Sequence, residues 1–227
     1  MATDNGARGV TMPGVTEDML SREALFADYE DMAAAAESLA QRLTGVRDIH
    51  LTSGSGTDLT FSVKEGVWFA EGGLCRRPGQ FSNAPGGEVS IAPITADGVL
   101  VVDGSISGIG LLKEPLHMTI RGGWVTAIEG NSASHLRSIL IPFGKNAFHV
   151  AEIGIGMNRG AKRTGKILED EKALGTVHVG LGDNTKMGGV SLAEPVEAGI
   201  HIDAVVVSSP RILADGDLIV PEDYYRT

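Results

Sequence analysis

From Gly45 onward, the sequence is a succession of short segments rich in β-branched and aromatic residues, separated by Gly, Asp, Asn and Pro. Segments such as "DLTFSVK", "GVLVVDG" and "LHMTIRGG" have the length of single strands, and turn residues lie between them. Two helix-like segments, "NSASHLRSILIPF" and "ILEDEKALG", interrupt the series, and "RILADGDLIV" is typical of a hairpin that turns at Asp215-Gly216. This pattern predicts an α+β fold in which residues 46–227 form a mainly antiparallel mixed sheet.

The first 45 residues have a different pattern. Residues 16–44 place apolar side chains at roughly helical spacing, with Thr16 as N-cap before the acidic Glu17 and Asp18 and with Gly45 at the end. We therefore expect a helical N-terminal appendage (1–45) attached to a larger domain (46–227).

Composition limits the class of partner. The formal net charge of −10 argues against nucleic acid and against anionic membranes as partners. The single cysteine, Cys75, excludes an internal disulfide. Because no apolar run reaches the roughly 18 residues of a membrane span, and the N-terminus has no signal-peptide core, we expect a cytoplasmic protein.

Four ionisable residues lie inside apolar strand-like segments near the end of the chain. Glu152 lies in "AEIGIG", His178 in "TVHVGLG", and His201 and Asp203 in "GIHIDAVVV". Alternate side chains of a strand point to opposite faces, so His201 and Asp203 point the same way. A single buried histidine is usually structural, but two imidazoles and two carboxylates together can bind a divalent transition-metal ion. The spacing alone leaves both interpretations open.

The run "EIGIGMNRGAKRTGKILEDEKALGTVHVGLGDNTKMGG…AGIHIDAVV" resembles the catalytic region of the aminopeptidase T family, especially archaeal and bacterial sequences labelled leucyl aminopeptidase. Upstream, "APGGEVSIAP" is similar to that family's "LPxGEVxxAP" segment. The resemblance implies two divalent ions (zinc, cobalt or manganese), held in an enclosed cavity of a homodimer. It implies the ligands Glu88, Glu152, His178, His201 and Asp203.

The same resemblance implies an activity: a metal-activated water would release the N-terminal residue of a small peptide. The adjacent glutamates of some family members are replaced by Gly87-Glu88 here, and the family's tyrosine after the histidine strand has no counterpart. Glu171 is therefore the candidate proton shuttle. The family's chains usually carry a further N-terminal α/β domain, so residues 1–45 are expected to be a remnant of it.

Two alternatives stay open. Bacterial 2,5-dihydroxypyridine dioxygenases resemble this region as well, and they hold one Fe(II) ion with a His, His, Asp triad. His201 and Asp203 match two of those ligands, and the third falls on Glu152. A degenerate member of the superfamily that binds metal without turnover is the other alternative.

Overall fold

The structure is a computed structural model that describes residues 5–219 and 224–225. Strands within these residues form two seven-stranded sheets and one two-stranded sheet. The strands of the first sheet are β2 Asp48–Thr52, β3 Asp58–Ser62, β7 Thr95–Val102, β10 Leu116–Arg121, β11 Trp124–Glu129, β15 Arg211–Ala214 and β16 Asp217–Ile219. Those of the second sheet are β4 Phe69–Glu71, β6 Glu88–Ile91, β8 Ser105–Ile106, β9 Gly110–Leu111, β12 Val150–Gly156, β13 Val177–Gly182 and β14 His201–Val206. The small sheet pairs β1 Gly9–Thr11 with β5 Phe81–Asn83.

Strand order separates the two large sheets. The first sheet has the order β11-β10-β7-β3-β2-β15-β16 and the second has the order β4-β6-β12-β13-β14-β8-β9. Neighbouring strands in both are antiparallel, whereas β1 and β5 are parallel. The predicted α+β class with mainly antiparallel strands is confirmed, although the strands divide between two large sheets. The hairpin at Asp215-Gly216 is confirmed as β15–β16.

The helices are few and short. They are α1 Tyr29–Leu43, α2 Ala133–Leu140 and α3 Ile167–Asp170, with 3-10 turns at Glu17–Ser21, Glu23–Phe26, Ile141–Phe143 and Lys145–Phe148. No helix in the described part of the chain is long and apolar enough to cross a membrane.

The N-terminal helix begins later than predicted. The Asp28 carboxylate accepts hydrogen bonds from the backbone N–H groups of Glu30 and Asp31, and this N-cap starts α1. The Thr16 hydroxyl donates to the side chain of Asp18 and caps no backbone N–H, so only a 3-10 turn follows it. The helix predicted over residues 16–44 is therefore wrong over residues 16–28, where 3-10 turns replace the α-helix.

One hydrophobic core joins α1 to both large sheets. Leu39 and Leu43 of α1 belong to the same buried cluster as Phe61 of the first sheet and Ile153 of the second. The helix packs closely against the end of β4: a Cβ added at Gly72, the residue after this strand, would lie only 2.5 Å from Ala33 of α1. The division of the chain at residue 45, and the origin of residues 1–45 in a longer N-terminal domain, stay predictions.

Candidate metal centre

The second sheet places apolar and ionisable side chains on opposite faces by alternation along its strands. The apolar residues that enter the core stand at odd positions in β12 and β13 and at even positions in β14. They are Ile153, Ile155, Val177, Val179, Leu181, Ile202, Ala204 and Val206. Residues between them point to the opposite face, where β12 contributes Glu152, β13 contributes His178, and β14 contributes His201 and Asp203. The sequence pattern therefore gathers the ionisable groups on one side of one sheet.

Glycines make room for these side chains. Gly180 lies opposite Asp203 in the β13–β14 pairing, and a Cβ at Gly180 would lie 2.7 Å from His201 Nε2 and 2.8 Å from Glu152 Cβ. At Gly154 an added Cβ would lie 2.1 Å from His178 Nε2. All three distances are below 3.0 Å, which real Cβ contacts essentially never show, so the imidazoles lie directly over glycine backbone.

The first group of potential ligands consists of Glu152, His201 and Asp203, which we name the open triad. Its donor atoms lie within 4.8 Å of one another. Nε2 of His201 lies 3.1 Å from Glu152 Oε2 and 3.2 Å from Asp203 Oδ1. The opposite ring nitrogen, Nδ1, lies 2.8 Å from the backbone oxygen of Asp183, which orients Nε2 towards the carboxylates. The side chains of His201 and Asp203 are 28% and 18% exposed, so the triad has an accessible side.

A second group, the buried triad, shares one member with the first. It consists of Glu88, Glu152 and His178, again with donor atoms within 4.8 Å. His178 Nε2 lies 3.4 Å from Glu88 Oε2 and 3.7 Å from Glu152 Oε1. Among the described residues, Glu88 Oε2 and His178 Nδ1 have no hydrogen-bond partner. Glu152 therefore lies between two sets of donors.

The ionisable groups of the two triads shift one another's pKa values. Burial opposes the charged form of Glu152, yet the facing rings of His178 and His201 hold the pKa of Glu152 well below its usual value. Burial also opposes the charged form of His201, but Asp203 and Glu152 hold the pKa of His201 well above its usual value. For His178, burial is outweighed by Glu152 and Glu88, which raise its pKa to about 10. The surrounding carboxylates thus favour the protonated form of both imidazoles.

A buried lysine lies beside the buried triad. Lys172 is 1% exposed, and its Nζ lies 2.6 Å from Glu88 Oε1, 3.1 Å from Glu71 Oε2 and 3.1 Å from Glu171 Oε1. Burial lowers the pKa of the Lys172 ammonium, but the three carboxylates raise it well above its usual value. Burial raises the pKa of Glu88 to about 8 and the pKa of Glu171 to about 7.

Both triads open onto one cavity of about 570 Å³. Glu88, Glu152, Glu171, Lys172, His178, His201 and Asp203 contribute to its wall. Phe69 and Phe81 supply aromatic surface, and the loop at Lys186–Gly188 closes another side. A cavity of this size with a few convergent polar groups is typical of a small-molecule site.

The donor set fits a divalent transition-metal ion. The open triad offers one imidazole nitrogen and two carboxylate oxygens, and the buried triad offers the same types of donor, with one carboxylate oxygen that lacks any hydrogen-bond donor. The structure brings together all five residues expected as ligands, and it places Glu171 in the same cavity wall. Their roles as ligands and as proton shuttle stay predictions.

Sequence reasoning missed Lys172 and Glu71. Lys172 directly follows three acidic residues in "ILEDEK", which is typical of a solvated helix face, and Glu71 ends a short strand before a glycine pair. The available signal was the position of Lys172 between Glu171 and the apolar "ALGTVHVGLG", where an exposed face is hard to continue.

Comparisons with known proteins identify a family and two similar folds. The sequence profile of the NicX family, described as 2,5-dihydroxypyridine 5,6-dioxygenase, matches residues 3–179. No curated protein matches the chain. Among solved structures, the 2,5-dihydroxypyridine dioxygenase from Pseudomonas putida KT2440 is similar, with a TM-score of 0.78 and 23% identity over 96% of this chain. Wild-type AmpT from Thermus thermophilus is similar with a TM-score of 0.64 and 17% identity over 92% of this chain.

These structural likenesses concern the fold. This chain spans 65% of the dioxygenase chain and 61% of the AmpT chain. The resemblance to 2,5-dihydroxypyridine dioxygenases expected from the sequence is supported by the family profile, and the likeness to AmpT is one of fold. The profile match covers most of the sequence, so the chain belongs to the NicX family of 2,5-dihydroxypyridine 5,6-dioxygenase.

Proposed function

We propose that the chain is a metal-dependent dioxygenase that opens a small hydroxylated aromatic ring of the dihydroxypyridine kind. The observation that carries this proposal is the open triad, in which Glu152, His201 and Asp203 converge on the accessible side of the cavity. Three protein ligands that leave coordination positions free are typical of non-heme Fe(II) oxygenases. The family match supports the same activity.

A ferrous ion held by the open triad would supply the redox chemistry that activation of dioxygen requires. The triad has one imidazole and two carboxylates instead of two imidazoles and one carboxylate. The additional negative charge favours the binding of a divalent cation, because burying a carboxylate without a compensating charge is costly.

The chain's own residues can bind and orient a planar ring. Phe69 and Phe81 in the cavity wall offer faces and edges on which an aromatic ring can stack. Glu171 lies close enough to Asp203 for that charge to raise its pKa further, and burial is the larger cause of its value of about 7. A carboxyl group with this pKa can take a proton from a ring hydroxyl and return it near neutral pH.

Aminopeptidase-like hydrolysis, the function expected first from the sequence, is the second candidate. Glu152 belongs to both triads, and a carboxylate shared by two donor sets is typical of centres that hold two ions. The fold of AmpT supports this candidate as well. The family match ranks it below the dioxygenase.

Turnover under controlled oxygen separates the candidates. Protein loaded with Fe(II) is mixed with 2,5-dihydroxypyridine, and oxygen uptake and loss of the ring absorbance are followed, with an anaerobic sample and Asp203→Asn as controls. We expect oxygen-dependent ring loss in the unmodified protein only. Hydrolysis of aminoacyl amides by Zn- or Mn-loaded protein without oxygen uptake would favour the peptidase, and inactivity in both assays would favour a degenerate member.

Assembly as a homodimer, which the family resemblance implies, stays a prediction. Light scattering at micromolar concentration tests it, because a clean monomer with full activity would show that a second copy is unnecessary for the site.

A further inference from the structure

The Lys172 side chain has an unusual position for a lysine. Its ammonium is almost fully buried, and it faces three carboxylates that arrive from separate parts of the chain: Glu71 from β4, Glu88 from β6 and Glu171 from the end of α3. Lysine is seldom buried unless it is paired. The three converging carboxylates therefore indicate that the fold provides a specific position for the Lys172 ammonium.

Hydrogen bonds to Glu71 also stabilise the position of the Lys172 ammonium. Glu71 Oε1 accepts a hydrogen bond from the backbone N–H of Asn83 at 2.6 Å and another from the Ser82 hydroxyl at 3.3 Å. These bonds hold Glu71 in place so that its second oxygen faces Lys172. The cation position is thus rigid on the side away from the triads.

Lys172 shares Glu88 with the buried triad. One oxygen of Glu88 faces the ammonium at 2.6 Å, and the other faces His178 and has no hydrogen-bond partner among the described residues. A divalent ion in the buried triad would have to use the same carboxylate beside a positive charge, and like charges at such distances repel strongly in a buried site. In the described part of the chain, by contrast, the ion pairs of Glu152 and Asp203 are with histidines alone.

We propose that Lys172 is a built-in cation that engages Glu88 and limits the centre to one divalent ion, held by the open triad. Removal of the ammonium frees Glu88, and the buried triad then takes a second ion. This inference rests on the proposed metal-dependent function for the presence of the first ion. It adds a determinant of metal number that distinguishes a one-ion oxygenase from a two-ion hydrolase in the same fold.

Metal stoichiometry tests the role of Lys172. Four proteins are each titrated with Mn²⁺ alone: the unmodified protein, Lys172→Ala, the double variant Lys172→Ala/Glu88→Ala and the matched control Lys64→Ala. Lys64 lies in the turn after β3, and its side chain is 44% exposed. Calorimetry and elemental analysis after desalting then give the number of ions per chain. We expect one ion in the unmodified protein, two in Lys172→Ala, and one in both the double variant and the control.

Either of two stoichiometries would overturn the proposal: two ions in the unmodified protein, or a single ion in a folded Lys172→Ala. Should Lys172→Ala fail to fold, anomalous diffraction from Mn²⁺-soaked crystals of the unmodified protein still decides. One peak beside Glu152, His201 and Asp203 would support the proposal, and a peak between Glu88 and His178 would contradict it. No bound metal at all would overturn the centre as a whole, whereas absent ring cleavage with this stoichiometry would overturn only the proposed function.

Discussion

Each large sheet contains a histidine that faces an aspartate, and only one of these pairs belongs to a candidate centre. In the first sheet His50 Nε2 lies 2.7 Å from Asp58 Oδ1, and in the second sheet His201 Nε2 lies 3.2 Å from Asp203 Oδ1. The first-sheet pair is the closer one. Its side chains are 42% and 78% exposed, however, and neither residue belongs to a group of potential ligands among the described residues.

Burial and convergence explain the difference between the pairs. Water solvates the exposed side chains of His50 and Asp58, so their pair needs no further partner and contributes little to stability. His201 and Asp203 are largely removed from water and share their space with Glu152, which leaves more negative charge than one imidazole balances. The comparison indicates that a short His–Asp distance is not what favours metal binding. A third buried ligand beside the pair is the more important feature.

The largest contrast is expected from matched aspartate-to-asparagine changes. Asp203→Asn keeps the side chain's shape but removes one charged ligand, and we expect its affinity for Mn²⁺ to fall by at least about 100-fold, beyond the loss typical of outer partners. Asp58→Asn should leave the affinity unchanged. Isothermal titration of both variants and the unmodified protein measures this, and equal affinities in all three would refute the open triad.

A glycine-to-alanine change tests the space beneath the ring. In Gly180→Ala the new methyl group would meet His201 Nε2 and Glu152 Cβ at 2.7 Å and 2.8 Å, and the latter atom cannot turn away from its backbone. We expect Mn²⁺ affinity about 10–100-fold lower, the range for changes that reorient a ligand.

Gly54→Ala is the matched control, because it adds a methyl group at the turn after β2, 3.2 Å from the backbone oxygen of Ser208 and outside the cavity. Its affinity should equal that of the unmodified protein. If Gly180→Ala also keeps full affinity while folding normally, the crowding at His201 has no bearing on metal binding.

Nuclear magnetic resonance of the histidine rings sharpens the comparison without a mutation. On addition of Zn²⁺, the ring signals of His201 should shift most because it is a direct ligand of the open triad. His178, which faces the shared Glu152, should shift less, and His50 should not shift. A larger shift at His178 than at His201 would indicate that the ion occupies the buried triad instead.

Much of this arrangement could be predicted from the sequence, and the parts that could not be predicted have physical causes. Ionisable residues inside apolar strands were visible as a pattern of period two, so Glu152, His178, His201 and Asp203 could be predicted as neighbours. The division into two sheets could not be predicted, because pairings such as β2 with β15 join distant segments. Strands β1, β5, β8 and β9 have only two or three residues, too few for a pattern.

Lys172 shows the same limit within the site. Local sequence describes the residue's neighbours along the chain, and there the acidic helix indicates solvent. The burial of Lys172 results from β4 and β6, whose carboxylates Glu71 and Glu88 come from about a hundred residues earlier in the chain. A partner set assembled over such separations is a property of the fold, and the local sequence signals the burial of Lys172 only through the apolar run that follows it.

The smallest effect is expected from removal of the first-sheet pair itself. His50→Ala deletes an exposed ion pair whose partner, Asp58, is solvated, so we expect the free energy of unfolding to change by no more than about 0.5–1 kcal/mol. Denaturant unfolding, with and without Mn²⁺, provides the measurement. Mn²⁺ is added at about 100 times the Kd of the unmodified protein, a concentration that stabilises that protein by about 2.7 kcal/mol. At the same Mn²⁺ concentration, His50→Ala should gain the same amount. That gain depends only on the metal affinity of the folded state, so a smaller gain in His50→Ala would mean that the two sheets are coupled and that the pair on the first sheet helps to hold the centre on the second.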